Sequence, residues 1–99
     1  MRDHLEIPEE PLKEWCQRWK VHELALFGSA MNDTFSDDSD VDLLVEFQTG
    51  ARVTLFTLSR MQRELSALLA RSVDLVPKRG LKPHIRAEIL ASAQVIYAT

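Results

Sequence analysis

The sequence has little of what marks a secreted or membrane-bound protein. Its 99 residues include one cysteine, Cys16, which excludes an internal disulfide bond and fits a reducing cytoplasm. Residues 1–15 lack the apolar core that a secretory signal needs. No segment is long and apolar enough to span a bilayer. These absences predict a cytoplasmic protein with no membrane partner.

The sequence has no excess of positive charge. Twelve lysines and arginines face 15 aspartates and glutamates, which gives a formal net charge of −3. A protein that binds nucleic acid in general is normally basic, so we expect no direct nucleic-acid partner. The sequence shows no internal repeat and no low-complexity tract. Its 45% hydrophobic and 27% charged residues predict that residues 1–99 form a single globular domain.

What the sequence does contain is a pair of aspartates at the start of an apolar segment. Residues 24–47 read LALFGSAMNDTFSDDSDVDLLVEF, with Gly28-Ser29 ending one apolar run and Asp40-Val41-Asp42 opening the next. Aspartate is depleted in strands, and alternate side chains of a strand point to the same side, here about 6.6 Å apart. Two such carboxylates suit Mg²⁺ with substrate phosphates, and a Gly-Ser turn offers N–H groups and a hydroxyl to those phosphates.

Hydrophobic periodicity predicts helices and strands in a mixed α/β arrangement. The LLV run of the second strand predicts burial on both faces of a sheet. The predicted elements are a helix over residues 9–19, a strand over 22–27, a short helix over 29–33, a strand over 40–47, a helix over 54–70, a strand over 73–76, a basic loop over 78–82, a helix over 83–93 and an edge strand over 95–97. The inward residues are expected to be Leu58, Met61, Leu65 and Leu68, with Leu55 and Leu69 beside them, and Ile85, Ile89 and Leu90 in the last helix.

A third aspartate also lies in an apolar strand, where aspartate is uncommon. Asp74 lies between Val73 and Leu75 in the third strand, which a β-helix-β connection would place close to the second strand. Solvated strand ends or helix caps are the usual explanation for a single aspartate. Three aspartates at apolar strand positions favour a functional site instead. If their carboxylates converge, each pair at about 4 Å repels by roughly 4 kcal/mol at an effective dielectric of 20, so protons or metal ions must neutralise them.

The pattern Gly-Ser, ten residues, Asp-x-Asp resembles the signature of nucleotidyltransferases with the polymerase-β-like fold. The words LFGS, SDVDLLVEF, SVDLVP and LKPHIRAEIL are similar to those of the small MNT (minimal nucleotidyltransferase) proteins, many of which are antitoxins encoded beside HEPN-domain toxins. This resemblance implies a minimal fold, a small mixed β-sheet with helices packed on it. It also implies a nucleotidyltransferase-type antitoxin, which moves AMP from ATP to a hydroxyl, expected to be a tyrosine, of a HEPN toxin.

The resemblance implies a role for each motif residue. Asp40, Asp42 and Asp74 become the catalytic carboxylates that hold two Mg²⁺ ions, and Gly28 and Ser29 become the binding site for the ATP phosphates. The chain departs from the family pattern at one position. Relatives often carry an arginine three residues after the motif serine, where this chain has Asn32.

Two other functions remain open at this point, a non-catalytic antitoxin that acts by binding alone and an aminoglycoside-type enzyme that modifies a small molecule. Trp15 and Trp19 are interpreted as core or partner packing. The basic residues Lys78, Arg79, Lys82 and Arg86 could meet the triphosphate or a partner, or form a solvated loop.

Overall fold

The described helices and strands follow one another in the order that the periodicity predicts. The computed structural model describes residues 7–28 and 40–99, and the predicted short helix over 29–33 lies outside them. The described elements are α1 (Glu9–Arg18), β1 (Val21–Phe27), β2 (Val41–Phe47), α2 (Leu55–Leu69), β3 (Val73–Pro77), a 3₁₀ turn (Lys78–Gly80), α3 (Pro83–Ser92) and β4 (Gln94–Ala98). Within these residues, every helix is too short or too polar to cross a bilayer.

The four strands form one mixed sheet in the order β3-β2-β1-β4. β1 pairs antiparallel with both β2 and β4, whereas β2 pairs in parallel with β3. The prediction that the third strand lies beside the second is therefore confirmed, and so is the edge position of the last strand. The parallel pair is the one that a helical crossover must connect, and α2 supplies that crossover.

One face of the sheet packs against α1 and α2 and forms the core. Leu43 and Val45 point to this face, whereas Leu44 points to the other, and all three are buried, which confirms the predicted burial on both faces. Cys16 is also fully buried, and burial raises its pKa to about 12, so its thiol is neutral. The buried cluster comprises Leu12, Trp15, Cys16, Val21, Leu24, Leu26, Val41, Leu43, Val45, Met61, Leu65, Leu69, Val73 and Leu75.

The apolar stripe of α2 is confirmed except at its first residue. Met61 and Leu65 are fully buried, and Leu58 and Leu68 pack partly buried against the core. Leu55 was expected beside them, but it is 83% exposed. The expectation is wrong because Leu55 lies in the first turn of α2, just after the N-cap Thr54. This turn continues the helical periodicity but extends beyond the buried core.

The inward face predicted for α3 is wrong. Ile85 and Leu90 are exposed, Ile89 is only half-buried, and the helix contains no buried residue. The apolar side chains of α3 are spread around the helix and form no single stripe, so no face of it is selected for the core.

A single carboxylate joins α1 to α2. Glu64 Oε1 accepts hydrogen bonds from Trp15 Nε1 at 3.1 Å, Trp19 Nε1 at 2.9 Å and Arg18 Nη2 at 2.8 Å, and Arg60 lies 3.5 Å from Oε2. The interpretation of both tryptophans as packing residues is confirmed, and because Trp15 is 4% exposed it is not available as a docking surface. Burial alone would raise the pKa of Glu64, but the bonds from both tryptophans and the charges of both arginines together lower it.

The lowered pKa of Glu64 predicts a pH-dependent stability. Glu64 stabilises the fold above its unfolded pKa, and this contribution is lost as pH falls through its lower folded pKa. We expect Glu64→Gln to lower the unfolding free energy by about 1 kcal/mol at pH 7, since its bonds are partly exposed. The deficit should shrink between about pH 5 and pH 3, as measured by urea unfolding. The exposed Glu88→Gln is the control, and a deficit independent of pH would contradict this role.

Candidate functional site

Two of the three predicted carboxylates lie side by side on the sheet. Asp42 of β2 and Asp74 of β3 are directly paired in the parallel register, and adjacent strands are about 4.8 Å apart. Their sequence neighbours Val41, Leu43, Val73 and Leu75 all belong to the core. Because side chains alternate along a strand, Asp42 and Asp74 therefore point away from α1 and α2, onto the opposite face of the sheet.

Asp40 precedes β2 by one residue and is exposed. Because Asp40 lies outside β2, strand alternation does not fix its side, and its place on the same side as Asp42 stays a prediction. Asp42 is half-buried and Asp74 is exposed, so the burial of these three positions decreases away from the middle of the sheet. Asp42 and Asp74 thus share one end of one face of the sheet, and Asp40 lies just before β2.

Gly28 makes room for Asp42. Phe27 pairs with Asp42 across β1 and β2, and Gly28 follows with a φ of 71°. A Cβ on Gly28 would overlap Oδ2 of Asp42 and lie 3.1 Å from its Cγ. Glycine is therefore needed at position 28 for two reasons: the backbone is left-handed there, and the Asp42 carboxylate approaches closely. Ser29 and Asn32 lie outside the described residues, so the phosphate-binding role of Ser29 stays a prediction.

The carboxylates of Asp40, Asp42 and Asp74 are suitable ligands for a hard cation such as Mg²⁺ that is also coordinated by substrate phosphates. In residues 7–28 and 40–99, no three histidine, cysteine, aspartate or glutamate side chains are gathered into a ready-made metal site. Mutual repulsion of carboxylates opposes such gathering. Mg²⁺ needs only one or two carboxylates beside substrate phosphates, and oxygen donors on rigid strands meet that requirement. A metal-binding role for Asp40, Asp42 and Asp74 stays a prediction.

Lys78 does not lie beside Asp74. Its Nζ is 3.3 Å from Glu46 and 3.7 Å from Glu23, and its side chain is 17% exposed. Pro77 pairs with Val45, so Lys78 is four residues, about 13 Å, further along the strand than Asp74. The hypothesis that Lys78 meets the triphosphate is therefore wrong, because two glutamates hold it at the other end of the sheet. The remaining cations of this segment, Arg79, Lys82 and Arg86, are exposed.

Sequence reasoning missed two polar residues of α2 that contact β3. Gln62 Oε1 accepts a hydrogen bond from the Leu75 N–H at 2.9 Å, and Ser66 Oγ accepts one from the Val73 N–H at 3.0 Å. The sequence places Gln62 outside the apolar stripe of α2, which suggests a solvated side chain. Their spacing of four residues puts both side chains on one side of the helix, but no pattern in the sequence identifies a backbone N–H as the partner.

A groove of about 560 Å³ also opens between α1 and α2. It is lined by residues of these two helices, including Trp15, Arg18 and Glu64. The sheet lies between this groove and the face that carries Asp42 and Asp74. The groove is therefore not part of the carboxylate site.

Comparison with known proteins points to one family. Residues 9–96 match the family model described as a nucleotidyltransferase domain. The chain is 38% identical over 85 residues to the protein adenylyltransferase MntA of Thermococcus cleftensis, and the match covers 86% of this chain and 82% of that protein.

Solved structures share the fold. A toxin–antitoxin structure with AMP-PNP superposes with a TM-score of 0.75 at 20% identity, covering 94% of this chain and 75% of the other. The complex of a tri-AMPylated Shewanella oneidensis HEPN toxin with its MNT antitoxin gives a TM-score of 0.67 at 18% identity, covering 92% of this chain and 70% of the other. These two likenesses confirm the predicted mixed sheet with packed helices.

The contact between Gly28 and Asp42 can be tested with a matched pair of variants. Gly50 also has a positive φ, 89°, but a Cβ there would meet nothing within 4 Å. We expect Gly50→Ala to lower the unfolding free energy by about 1 kcal/mol through backbone strain, and Gly28→Ala to lower it by at least as much because its Cβ also overlaps Asp42. Only Gly28→Ala should displace the Asp42 carboxylate, seen as a changed carboxyl ¹³C resonance in NMR spectra. An unchanged Asp42 resonance in Gly28→Ala would show that the close approach is unimportant.

Proposed function

The chain belongs to the nucleotidyltransferase domain family, and from this membership we propose that it is an AMP-transferring antitoxin. It moves AMP from ATP to a hydroxyl group of a cognate HEPN toxin, with a tyrosine as the expected acceptor, and thereby neutralises the toxin. The relative from Thermococcus cleftensis is a protein adenylyltransferase. Proteins of the same fold have been solved as a toxin–antitoxin structure with AMP-PNP and as a complex with an AMPylated HEPN toxin.

The single observation that supports this proposal most directly is the pairing of Asp42 with Asp74, with Gly28 against Asp42. It brings a strand-exit glycine and two carboxylates from distant parts of the sequence to one place. Phosphoryl transfer needs little covalent chemistry from the protein, and positioning with charge stabilisation supplies most of the catalysis. Carboxylates on neighbouring strands of a packed sheet provide rigid positions of this kind.

Asp40, Asp42 and Asp74 would hold two Mg²⁺ ions. When bound, Mg²⁺ neutralises charge on the phosphates and stabilises the attacking and leaving oxygens of an in-line displacement. Gly28 and Ser29 would bind the β- and γ-phosphates through backbone N–H groups and the serine hydroxyl. Asp74 would also orient the acceptor hydroxyl and accept its proton, while the acceptor oxygen bonds to the α-phosphorus and the bond to the β-phosphate breaks, releasing pyrophosphate.

The exposure of the site favours a protein acceptor. Asp40 and Asp74 are exposed, and Asp74 lies on the sheet face opposite α1 and α2. A toxin side chain can therefore reach this edge while the toxin contributes its own surface to the closed site. A docked partner fixes the hydroxyl near the phosphate, and such orientation can account for a large share of a rate enhancement.

Removing the charge of Asp42 tests the enzymatic part of the proposal. Asp42→Asn keeps the shape of the side chain and lessens repulsion from Asp74, so the fold should be retained. AMP transfer to the cognate HEPN toxin should fall by roughly three orders of magnitude or more, because a metal-binding charge is lost. Intact mass spectrometry of the toxin, incubated with ATP and Mg²⁺, measures added AMP groups.

Glu88→Gln on α3 is the control for this experiment and should transfer AMP at the wild-type rate. Transfer by Asp42→Asn at the wild-type rate would contradict the role of Asp42. If the wild-type protein protects against the toxin without adding mass, and Asp42→Asn protects equally, the chain acts by binding alone.

Metal and nucleotide should bind jointly. The carboxylates form no ready-made three-ligand site in the described part of the chain, so the ATP phosphates must complete the coordination of Mg²⁺. We expect calorimetry to show ATP binding at least about tenfold weaker in EDTA than in Mg²⁺. Asp42→Asn should lose most of this difference, whereas Glu88→Gln should keep it. Equal ATP affinity with and without Mg²⁺ in the wild-type protein would contradict the proposed site.

A further inference from the structure

The outer edge of β3 is hydrogen-bonded by side chains and not by another strand. Among the described residues, β3 is an edge strand that pairs with β2 alone. Its outward N–H groups at Val73 and Leu75 donate to Ser66 Oγ at 3.0 Å and Gln62 Oε1 at 2.9 Å. The Ser66 hydroxyl in turn donates to the Gln62 carbonyl at 2.9 Å. Two successive turns of α2 therefore hold the strand.

These two bonds lie on either side of Asp74. Val73 precedes Asp74 and Leu75 follows it, so both neighbouring residues are fixed to α2 on one side. On the other side, the register with β2 fixes the same residues opposite Val41 and Leu43. The backbone at Asp74 is thus held from both edges of the strand.

The position of the Asp74 carboxylate depends on this backbone. The side chain is exposed, and no residue in the described part of the chain hydrogen-bonds to it. The Cα of Asp74 sets the region that its carboxylate can reach, so a shift of β3 away from β2 moves that region away from Asp42. Val73 and Leu75 supply the outward N–H groups of β3, because proline at position 77 has none, and Asp74 lies between them.

We propose that Gln62 and Ser66 are positioning residues that set the distance of Asp74 from Asp42. This inference rests on the proposed function, in which Asp74 holds a metal ion and orients the acceptor hydroxyl. Neither residue reaches the carboxylates; both act on the strand that carries one of them. Displacements of about 1 Å can cost about 100-fold in rate when a reaction depends on alignment.

Gln62→Met tests the inference, because methionine keeps the length of glutamine but removes the strong acceptor for the Leu75 N–H. We expect kcat for AMP transfer to fall about tenfold or more with KM for ATP changed less than about twofold. The Mg²⁺ concentration for half-maximal activity should rise several-fold. Gln62→Glu keeps an acceptor oxygen and should restore both quantities. Ser66→Ala should show the same pattern as Gln62→Met.

Two readouts need no activity. Hydrogen exchange at the Leu75 amide should speed up in Gln62→Met and recover in Gln62→Glu. The Asp74 carboxyl ¹³C resonance should move in Gln62→Met and Ser66→Ala and not in Gln17→Met, an exposed control on α1.

The possible failures are distinguishable. If the wild-type chain transfers no AMP, the proposed function fails, while the exchange rates and the Asp74 resonance still report whether α2 positions Asp74. If the wild-type chain is active and Gln62→Met loses stability with unchanged kcat and Mg²⁺ dependence, the bonds are structural only and the inference is overturned. Should Gln62→Met not fold, Ser66→Ala with wild-type kcat and Mg²⁺ dependence would overturn it equally.

Discussion

The parallel register between β2 and β3 is the constraint on which the rest of this molecule depends. It pairs Asp42 with Asp74 and, in the same ladder, Leu43 with Leu75. A slip of one residue would turn Asp74 into the core and a core side chain outward. The cost of burying a charge and exposing apolar surface therefore opposes such a slip. The same register that aligns the core residues brings Asp42 and Asp74 together in this nucleotidyltransferase.

One face of the sheet packs against helices, and the other face carries Asp42 and Asp74. α1 and α2 cover one face and are joined through Glu64, which leaves the other face to the carboxylates. Lys78 is held between Glu23 and Glu46 at the far end of that second face. The positive charge there is compensated locally, so it adds little to the potential around Asp42 and Asp74.

The sequence predicted those features that depend on local spacing. The strands and the main helices follow from alternation and periodicity, and the place of Asp74 beside Asp42 follows from the helical connection. The errors arise where residues distant in the sequence determine the surroundings of a side chain. Lys78 has ion-pair partners in β1 and β2, Gln62 bonds to a backbone group, and α3 has no stripe to show which side is inward. Leu55 continues a periodic pattern past the point where the core ends.

The lack of buried side chains in α3 has a thermodynamic consequence. Apolar burial supplies most of the free energy that resists local opening. α3 contributes little of it, although the chain is anchored before the helix by β3 and after it by β4. We therefore expect α3 to open locally at a lower free energy than the sheet, which holds the buried residues of the core.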